Sequence, residues 1–441
     1  MTDPANPEAE VVRICRDLIR IDSSNYGDGS GAGERACAEY VMGELTEVGL
    51  DPWYVESEPG RANVVVRVEG ADRSRPALAV HGHLDVVPAN SADWQVDPFA
   101  AEVRQGCVWG RGAIDMKDMD AMILANIRHL ARTGVKPPRD LVFCFFADEE
   151  AGGVLGSHWV VDNHPEVFDG VTEAISEVGG FSVTVPAKGT GLPTRAYLLQ
   201  TAEKGMAWLR LTARGRAGHG SVPNDENAIV RLSAAIGRID AHVWPREYIG
   251  SVRQLLDGLS DLTGTSYDDA SPETILGHLG GARGFVLGTL QDTATLTMLQ
   301  AGYKHNVIPQ SASASLDCRF LPGHELDLMA TIRALAGEYV AVEVLHRDIA
   351  LDSPFSGDLI GAMKAALLAE DPGAAILPYC LSGGTDNKAL STMGITGYGF
   401  APLRLPADLD FAPMFHGIDE RVPVDSLEFG ARVLQRLLAS C

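Results

Sequence analysis

Positive charge is scarce in this 441-residue chain. Lys and Arg number 36 against 59 Asp and Glu, for a net charge of −23, and only seven of the basic residues are Lys. That excludes a nucleic-acid binder or a protein drawn to anionic lipid, since both need basic patches. Cysteine is sparse too. The seven (Cys15, Cys37, Cys107, Cys144, Cys318, Cys380 and Cys441) are scattered, odd in number and never spaced C-x-x-C, which excludes a simple disulfide framework and the zinc-ribbon spacings. No apolar run approaches the ~18 residues of a membrane span. The opening MTDPANPEAEVVRICRDLIRID lacks the basic and apolar stretches of a signal peptide, so a cytoplasmic location is expected. There is no G-x-S-x-G elbow and no cysteine with a nucleophile signature, which argues against a serine or cysteine hydrolase.

What is present is a chain able to build sizeable cores, with 46% hydrophobic and 22% charged residues. At roughly 100–200 residues per domain, its length suggests two or three domains. Within 1–205, strands are expected over 62–70, 75–83, 140–148 and 171–177, with a helix over 119–133. The run DLVFCFFAD fits a strand buried on both faces, and the strand–helix alternation predicts a layered α/β sheet. After residue 205 the pattern changes. The segments 206–215, 294–303 and 311–320 alternate apolar and polar, as one-sided strands do, and helices are expected over 227–241 and 325–338. The stretch 242–290, with its Pro, Gly and Ser, reads as an insertion inside this α+β unit. From 348 the buried α/β texture returns, ending in an amphipathic helix over 425–440. The expectation is an α/β catalytic domain of 1–205 and 348–441, interrupted by a smaller α+β unit over 206–347.

Metal-ligand residue types gather at the ends of the expected strands: His81-Gly82-His83-Leu84-Asp85, Asp115, Asp148-Glu149-Glu150 and Glu177. In open α/β sheets the carboxyl ends of strands converge on the ligand crevice. Singly, an Asp there is as readily a helix cap, and a Glu-Glu pair is most often surface. Their coincidence points to a metal site, and imidazole with carboxylate suits zinc.

The segments HGHLDVVP, GRGAIDMKD, ADEEAGG, SEVGG, GRAGHGSVP, NVIP, SGGTDNK and FHGIDE run in order from residue 81 to 420. Together they resemble the two-metal amidohydrolase and peptidase family of acetylornithine deacetylase, succinyl-diaminopimelate desuccinylase, aminoacylase, carboxypeptidase G and carboxypeptidase S. The resemblance implies a zinc-peptidase-like mixed sheet between helices, with the smaller unit serving as a lid and dimerisation domain. It implies that His83, Asp115 and Glu177 hold one divalent ion, and that a bridging Asp115 holds a second with Glu150 and His416. Zinc is the expected ion, with cobalt or manganese as alternatives. Glu149 would be the general base, and Asp85 would orient the His83 ring. His81 is expected to support the structure rather than bind metal. The peptide after Asp115 resembles one that is cis in the family. His219 would reach a partner subunit's site in a homodimer and stabilise the oxyanion. Asn306 and Arg319 resemble the family's groups for a substrate carboxylate, and Gly383, Gly384 and Thr385 form a loop able to bind substrate through backbone N–H groups and the Thr385 hydroxyl.

Asp118 stands where many relatives have Gly, with Asp120 close behind, and both are expected to cap the following helix. The expected activity is hydrolysis of an amide next to a free α-carboxylate, in an N-acyl amino acid, a dipeptide or a peptide C-terminus. A biosynthetic deacylase of the desuccinylase or acetylornithine type is the alternative within the class. A non-catalytic metal- or peptide-binding protein is the alternative outside it.

Overall fold

In the computed structural model, which describes residues 6–269 and 271–441, the apolar run Leu141–Phe146 is a strand buried along its whole length. Its side chains alternate between two cores, as a strand's must. Leu141, Phe143 and Phe145 join one, and Val142, Cys144 and Phe146 the other. It pairs parallel with Ala77–His83 and antiparallel with Arg61–Val68. Around it lies a ten-stranded mixed sheet. The order across it is Trp53–Glu58, Arg61–Val68, Leu141–Phe146, Ala77–His83, Val171–Ser176, Thr396–Gly399, Pro193–Glu203 and Leu351–Asp352. Ala375–Leu381 and Phe181–Pro186 also pair with Pro193–Glu203.

Helices Val11–Ile19, Arg35–Glu47, Lys117–Thr133 and Val424–Ser440 bury their apolar stripes in the larger core. Lys117–Thr133 ends where Gly134 takes φ +65°, the left-handed stop that glycine permits. Helices Ser157–Asn163 and Asn387–Ser391 cover the other face. The chain therefore has the expected mixed α/β fold, with a central sheet between helices.

The second sheet is antiparallel, in the order Thr293–Ala301, Ser311–Phe320, Gly205–Arg214, Val340–Asp348. Along Ser311–Phe320 alternate residues are buried, and Ala312, Ala314, Leu316, Cys318 and Phe320 meet helices Ala228–Asp240 and Glu325–Ala336. The sequence indicated three of these strands. Val340–Asp348 is mostly exposed along its length and offers no clean alternation to find it by.

The stretch 242–290 departs from expectation. Helix Gly250–Thr263 places Val252, Leu255, Leu256 and Leu259 in the core of the large sheet, and Ile275, Leu276, Leu279 and Val286 follow them there. Gly258 lies so close to strand Ala375–Leu381 that a Cβ would sit 2.3 Å from Leu377. Helical spacing reports an apolar face, not the sheet it meets. The join is pinned by Lys204, whose buried Nζ donates to the carbonyls of Gly288 at 2.9 Å and Gln291 at 2.7 Å. Asp292, just beyond, accepts the Leu321 N–H at 2.8 Å.

Candidate metal centre

Strand Ala77–His83 carries His83 to its carboxyl end, in register with Phe146 of the parallel neighbour, so the chain through Asp148, Glu149 and Glu150 emerges beside it. Strand Val171–Ser176 stops one residue before Glu177, and Asp115 closes the loop ahead of helix Lys117–Thr133. His416 arrives from the C-terminal part of the chain with φ +55°. The structure brings these groups together. His83 Nε2 lies 3.3 Å from Asp115 Oδ1, 3.5 Å from Glu177 Oε2 and 3.9 Å from Glu149 Oε2. His416 Nε2 lies 3.1 Å from Asp115 Oδ2 and 3.0 Å from Glu150 Oε2. Asp115 thus turns one oxygen to each imidazole, and the Asp115–Met116 peptide is cis.

The donor set fits divalent cations. Donor atoms of His83, Glu149 and Glu177 lie within 4.8 Å of one another, as do those of His83, Asp115 and Glu150. His83 Nε2 and Glu150 Oε1 are buried without hydrogen-bond partners. The charge is also unbalanced. Burial and the like charge of Glu177 raise the Glu149 carboxyl well above its ordinary range, and burial lifts Glu177 to about 8. Hydrogen bonds that the His416 ring donates to Asp115 and Glu150 raise it to about 10. Burial opposes charge on His83, yet Glu177, Asp115 and Asp85 together raise it well above the ordinary value. Divalent cations held among these carboxylates would balance that buried charge.

Several expected residues behave differently in detail. Glu149 and Glu150 do not sit in extended chain but open a 3-10 turn after Asp148, which takes φ +66°. That turn is held by Asp85, whose Oδ1 and Oδ2 accept the Glu149 and Glu150 N–H groups, each at 3.1 Å, while Oδ2 also accepts Asn25 Nδ2 at 2.9 Å. The His83 Nδ1 meets the Asp85 backbone carbonyl at 3.0 Å and the carboxylate only at 3.5 Å. Asp85 therefore positions the Glu149–Glu150 turn at least as directly as it positions the imidazole.

His81 Nε2 bonds Asn387 Oδ1 at 3.0 Å, and burial pushes the ring down to about 4. Asp118 and Asp120 do not cap their helix. Met116 occupies the cap position without a side-chain bond, and both aspartates are buried in the first turn, where burial raises them well above the carboxylate range. Asp120 fills the space a side chain at Gly82 would need, 2.3 Å from the missing Cβ.

A pocket of about 420 Å³ opens over the cluster, lined by Asp115, Glu149, Glu150, Glu177 and His416, and also by Arg319, Gly383, Gly384 and Thr385. Arg319 is held by Asp317 of its own strand, through Nε at 2.7 Å and Nη2 at 3.1 Å. Thr385 is committed elsewhere. Its hydroxyl and N–H both donate to Glu203, at 2.7 and 3.0 Å, so the hydroxyl is not a free donor for substrate. His219 and Asn306 do not line this pocket. His219 lies exposed on the short pair Gly218–His219 and Val307–Ile308, with exposed Asn306 just before the second strand, and among the described residues His219 Nδ1 meets the Ser221 hydroxyl, at 2.8 Å, and its N–H.

The sequence also concealed part of the pocket. Asp386, inside the SGGTDNK segment, lines it and accepts Ser157 Oγ at 2.5 Å, with burial lifting its carboxyl to about 7. Phe285 and Phe415 form an apolar wall, backed by edge-to-face contacts with each other and with Phe411. Phe415 is next to His416 and could have been suspected. Phe285 lies in the misplaced 242–290 stretch and gave no signal.

Carboxylates and the buried His83 imidazole at the carboxyl ends of parallel strands, met by the exposed His416 and opening on a substrate-sized pocket, define a hydrolytic metalloenzyme. Residues 79–440 match the profile of Peptidase family M20/M25/M40, and the chain belongs to that family. It is 26% identical over 438 residues to the N-fatty-acyl-amino acid synthase/hydrolase PM20D1 of Xenopus tropicalis, covering 95% of this chain and 83% of the relative. With Aminoacylase-1 of Mus musculus it shares 28% identity over 452 residues, covering 99% and 96%. Among solved structures it resembles the M20 family metallo-carboxypeptidase Sso-CP2 from Sulfolobus solfataricus. There the TM-score is 0.73 at 16% identity, over 98% of this chain and 99% of that one, a likeness of fold. The chain is thus a metal-dependent amide hydrolase in kind. None of its described helices is long and apolar enough to cross a membrane.

Proposed function

We propose that the protein hydrolyses an amide or peptide bond next to a free α-carboxylate, in an N-acyl amino acid, a dipeptide or a peptide C-terminus. One observation carries this reading: the acidic–imidazole cluster, Arg319 and the apolar wall of Phe285 and Phe415 share a single pocket. In this reading His83, Asp115 and Glu177 hold one divalent ion, and Asp115, Glu150 and His416 hold a second. The nitrogen and oxygen donors suit zinc, and cobalt or manganese can also occupy such a set. Bound there, the ions supply Lewis acidity to the scissile carbonyl and lower the pKa of a water toward about 7.

Glu149 takes a proton from the attacking water at a carboxylate oxygen and passes it to the leaving amine nitrogen. Asp85 keeps that carboxylate in place through the 3-10 turn. Asp317 fixes the plane of the Arg319 guanidinium through Nε and Nη2, which leaves Nη1 for the substrate carboxylate. Gly383 and Gly384 border the same space, and Phe285 and Phe415 suit an apolar side chain or acyl group.

His219 and Asn306 serve the site of a partner subunit in a homodimer, with His219 stabilising the oxyanion. Supporting this, both are exposed beside strand Thr293–Ala301, which pairs on one side only and exposes Met298 and Leu299. An unpaired apolar edge of this kind invites a second chain. A deacylase for succinylated substrates would need a further basic group. The pocket's Lys388 is already engaged, donating to the Lys204 carbonyl at 2.9 Å with Asp348 at 3.7 Å.

The test is mass-spectrometric turnover of a mixed pool of N-acyl amino acids and dipeptides by zinc-loaded protein, beside a chelated control. Metal-dependent release of free amino acids is expected. Silence across the pool with both ions bound would overturn the proposal.

A further inference from the structure

The two halves of the proposed second metal position reach it from opposite ends of the sequence. Asp115 closes the loop 110–115, and His416 sits in the loop 415–420. Neither loop belongs to a long element, so something else must fix their separation. Glu420 does this from a fully buried position. Its Oε1 accepts the Ile114 N–H at 2.7 Å, and its Oε2 accepts the Gly112 N–H at 3.1 Å and Arg111 Nη1 at 2.7 Å. Its backbone carbonyl accepts the Gly110 N–H at 3.0 Å. One side chain therefore holds the backbone immediately before Asp115.

Arg111 completes the link in the other direction. Its Nη2 donates to the carbonyl of Gly417, the residue after His416, at 2.8 Å, and its guanidinium lies 5.2 Å from the Trp94 ring centroid. Gly112 has φ +85°, and a Cβ there would sit 2.8 Å from Val86, so the loop reaches Glu420 only because this residue has no side chain. A buried carboxylate with three donors and a buried guanidinium forked onto the facing loop form a rigid strut. The strut ends one residue from Asp115 on one side and one residue from His416 on the other. His83 and Glu177 rest at strand ends and, among the described residues, hydrogen-bond neither Glu420 nor Arg111; Asp115 alone links their position to the strut.

We propose that Glu420, acting with Arg111, is a positioning residue that sets the Asp115–His416 separation and so governs metal affinity at the Asp115–Glu150–His416 position, while the position that shares Asp115 keeps its ion through His83 and Glu177 at the strand ends. The proposal rests on the ligand assignment given under the proposed function. Groups that orient ligands in this way typically change metal affinity by about 10–100-fold when altered.

The test is calorimetric titration of the chelator-stripped full chain with Zn²⁺ alone, with metal content after gel filtration and the thermal midpoint measured on the same samples. Wild type is expected to take two ions. Glu420→Gln keeps an acceptor but loses the charge, and Arg111→Lys keeps the charge but loses the fork. Each variant is expected to retain one ion at wild-type affinity and to bind the second at least 10-fold more weakly, with excess Zn²⁺ restoring the second ion. A merely structural role would weaken both ions together or only lower the thermal midpoint, and either result overturns the proposal. Two ions bound by both variants at wild-type affinity overturn it as well. If Glu420→Gln does not fold, Arg111→Lys decides alone. Fewer than two ions in wild type would overturn the ligand assignment itself, and this inference with it.

Discussion

Two histidines singled out in the sequence, His83 and His219, are held in opposite ways by two regions of the molecule. In the large sheet His83 is buried, faces Asp115, Glu149 and Glu177 within 3.9 Å, and has an orphaned ring nitrogen. On the separate short pair Gly218–His219 and Val307–Ile308, His219 is exposed and its ring Nδ1 meets Ser221. A buried imidazole among carboxylates is an arrangement complete within one chain once cations balance it. An exposed imidazole beside an unpaired strand edge has no such local purpose. On the proposed reading, the contrast separates what one chain assembles alone from what a second copy would complete.

Predictions follow that contrast from its strongest consequence to its weakest. Glu149→Gln is expected to lower kcat by about 10³-fold while both metals stay bound, measured by turnover and metal content together. Loss of a metal would instead make Glu149 a ligand, as its place beside His83 and Glu177 also allows. His219→Ala is expected to cost about 10²-fold in kcat with an unchanged melting temperature. Refolding it with an equal amount of Glu149→Gln protein should recover about one quarter of wild-type activity, because half the dimers are mixed and each then has one intact site. No recovery despite mixed dimers would place His219 outside the partner's site.

Phe285→Ala should reduce the preference for N-acetyl-leucine over N-acetylglycine by about 10-fold in kcat/KM and leave the glycine substrate nearly unchanged. Uniform loss on both would mean the ring only holds the fold. The smallest effect on chemistry is expected from Leu256→Ala, which should lower stability by about 2–5 kcal/mol in urea unfolding with little change in KM. If the small sheet unfolds as a separate transition, Leu256→Ala should shift the large sheet's transition and Leu209→Ala the other one.

Much of this was legible because burial on both faces leaves a plain mark. Leu141–Phe146 is apolar at every position, and the residues that follow it had to emerge at a strand end. Val340–Asp348 left no mark, since neither of its faces is consistently buried. The Pro, Gly and Ser of the 242–290 stretch read as an insertion and masked helix Gly250–Thr263 with its packing on the large sheet, which is how Phe285 was missed. Residue type named Thr385 as a donor, but its acceptor, Glu203, is 182 residues away in sequence. Asp118 and Asp120 carried the composition of a helix start without its geometry. In each case the local pattern gave the chemical capacity, and packing between distant segments decided its use.

Because 242–290 returns to the large sheet midway through the smaller unit, that unit is not a cassette. The chain crosses between the two bodies near residues 204, 242–250, 288–292 and 349 rather than at one entry and one exit. Lys204 bolts the first and third crossings together, and Asp292 and His324 tie the third to the small sheet. Removing the small sheet alone would cut the chain at four places, and removing 204–349 in one piece would strip Leu255, Leu256 and Phe285 from the large sheet. Recombination between relatives at the outer boundaries alone would therefore move Phe285 and a part of the large sheet's own core together with the small sheet.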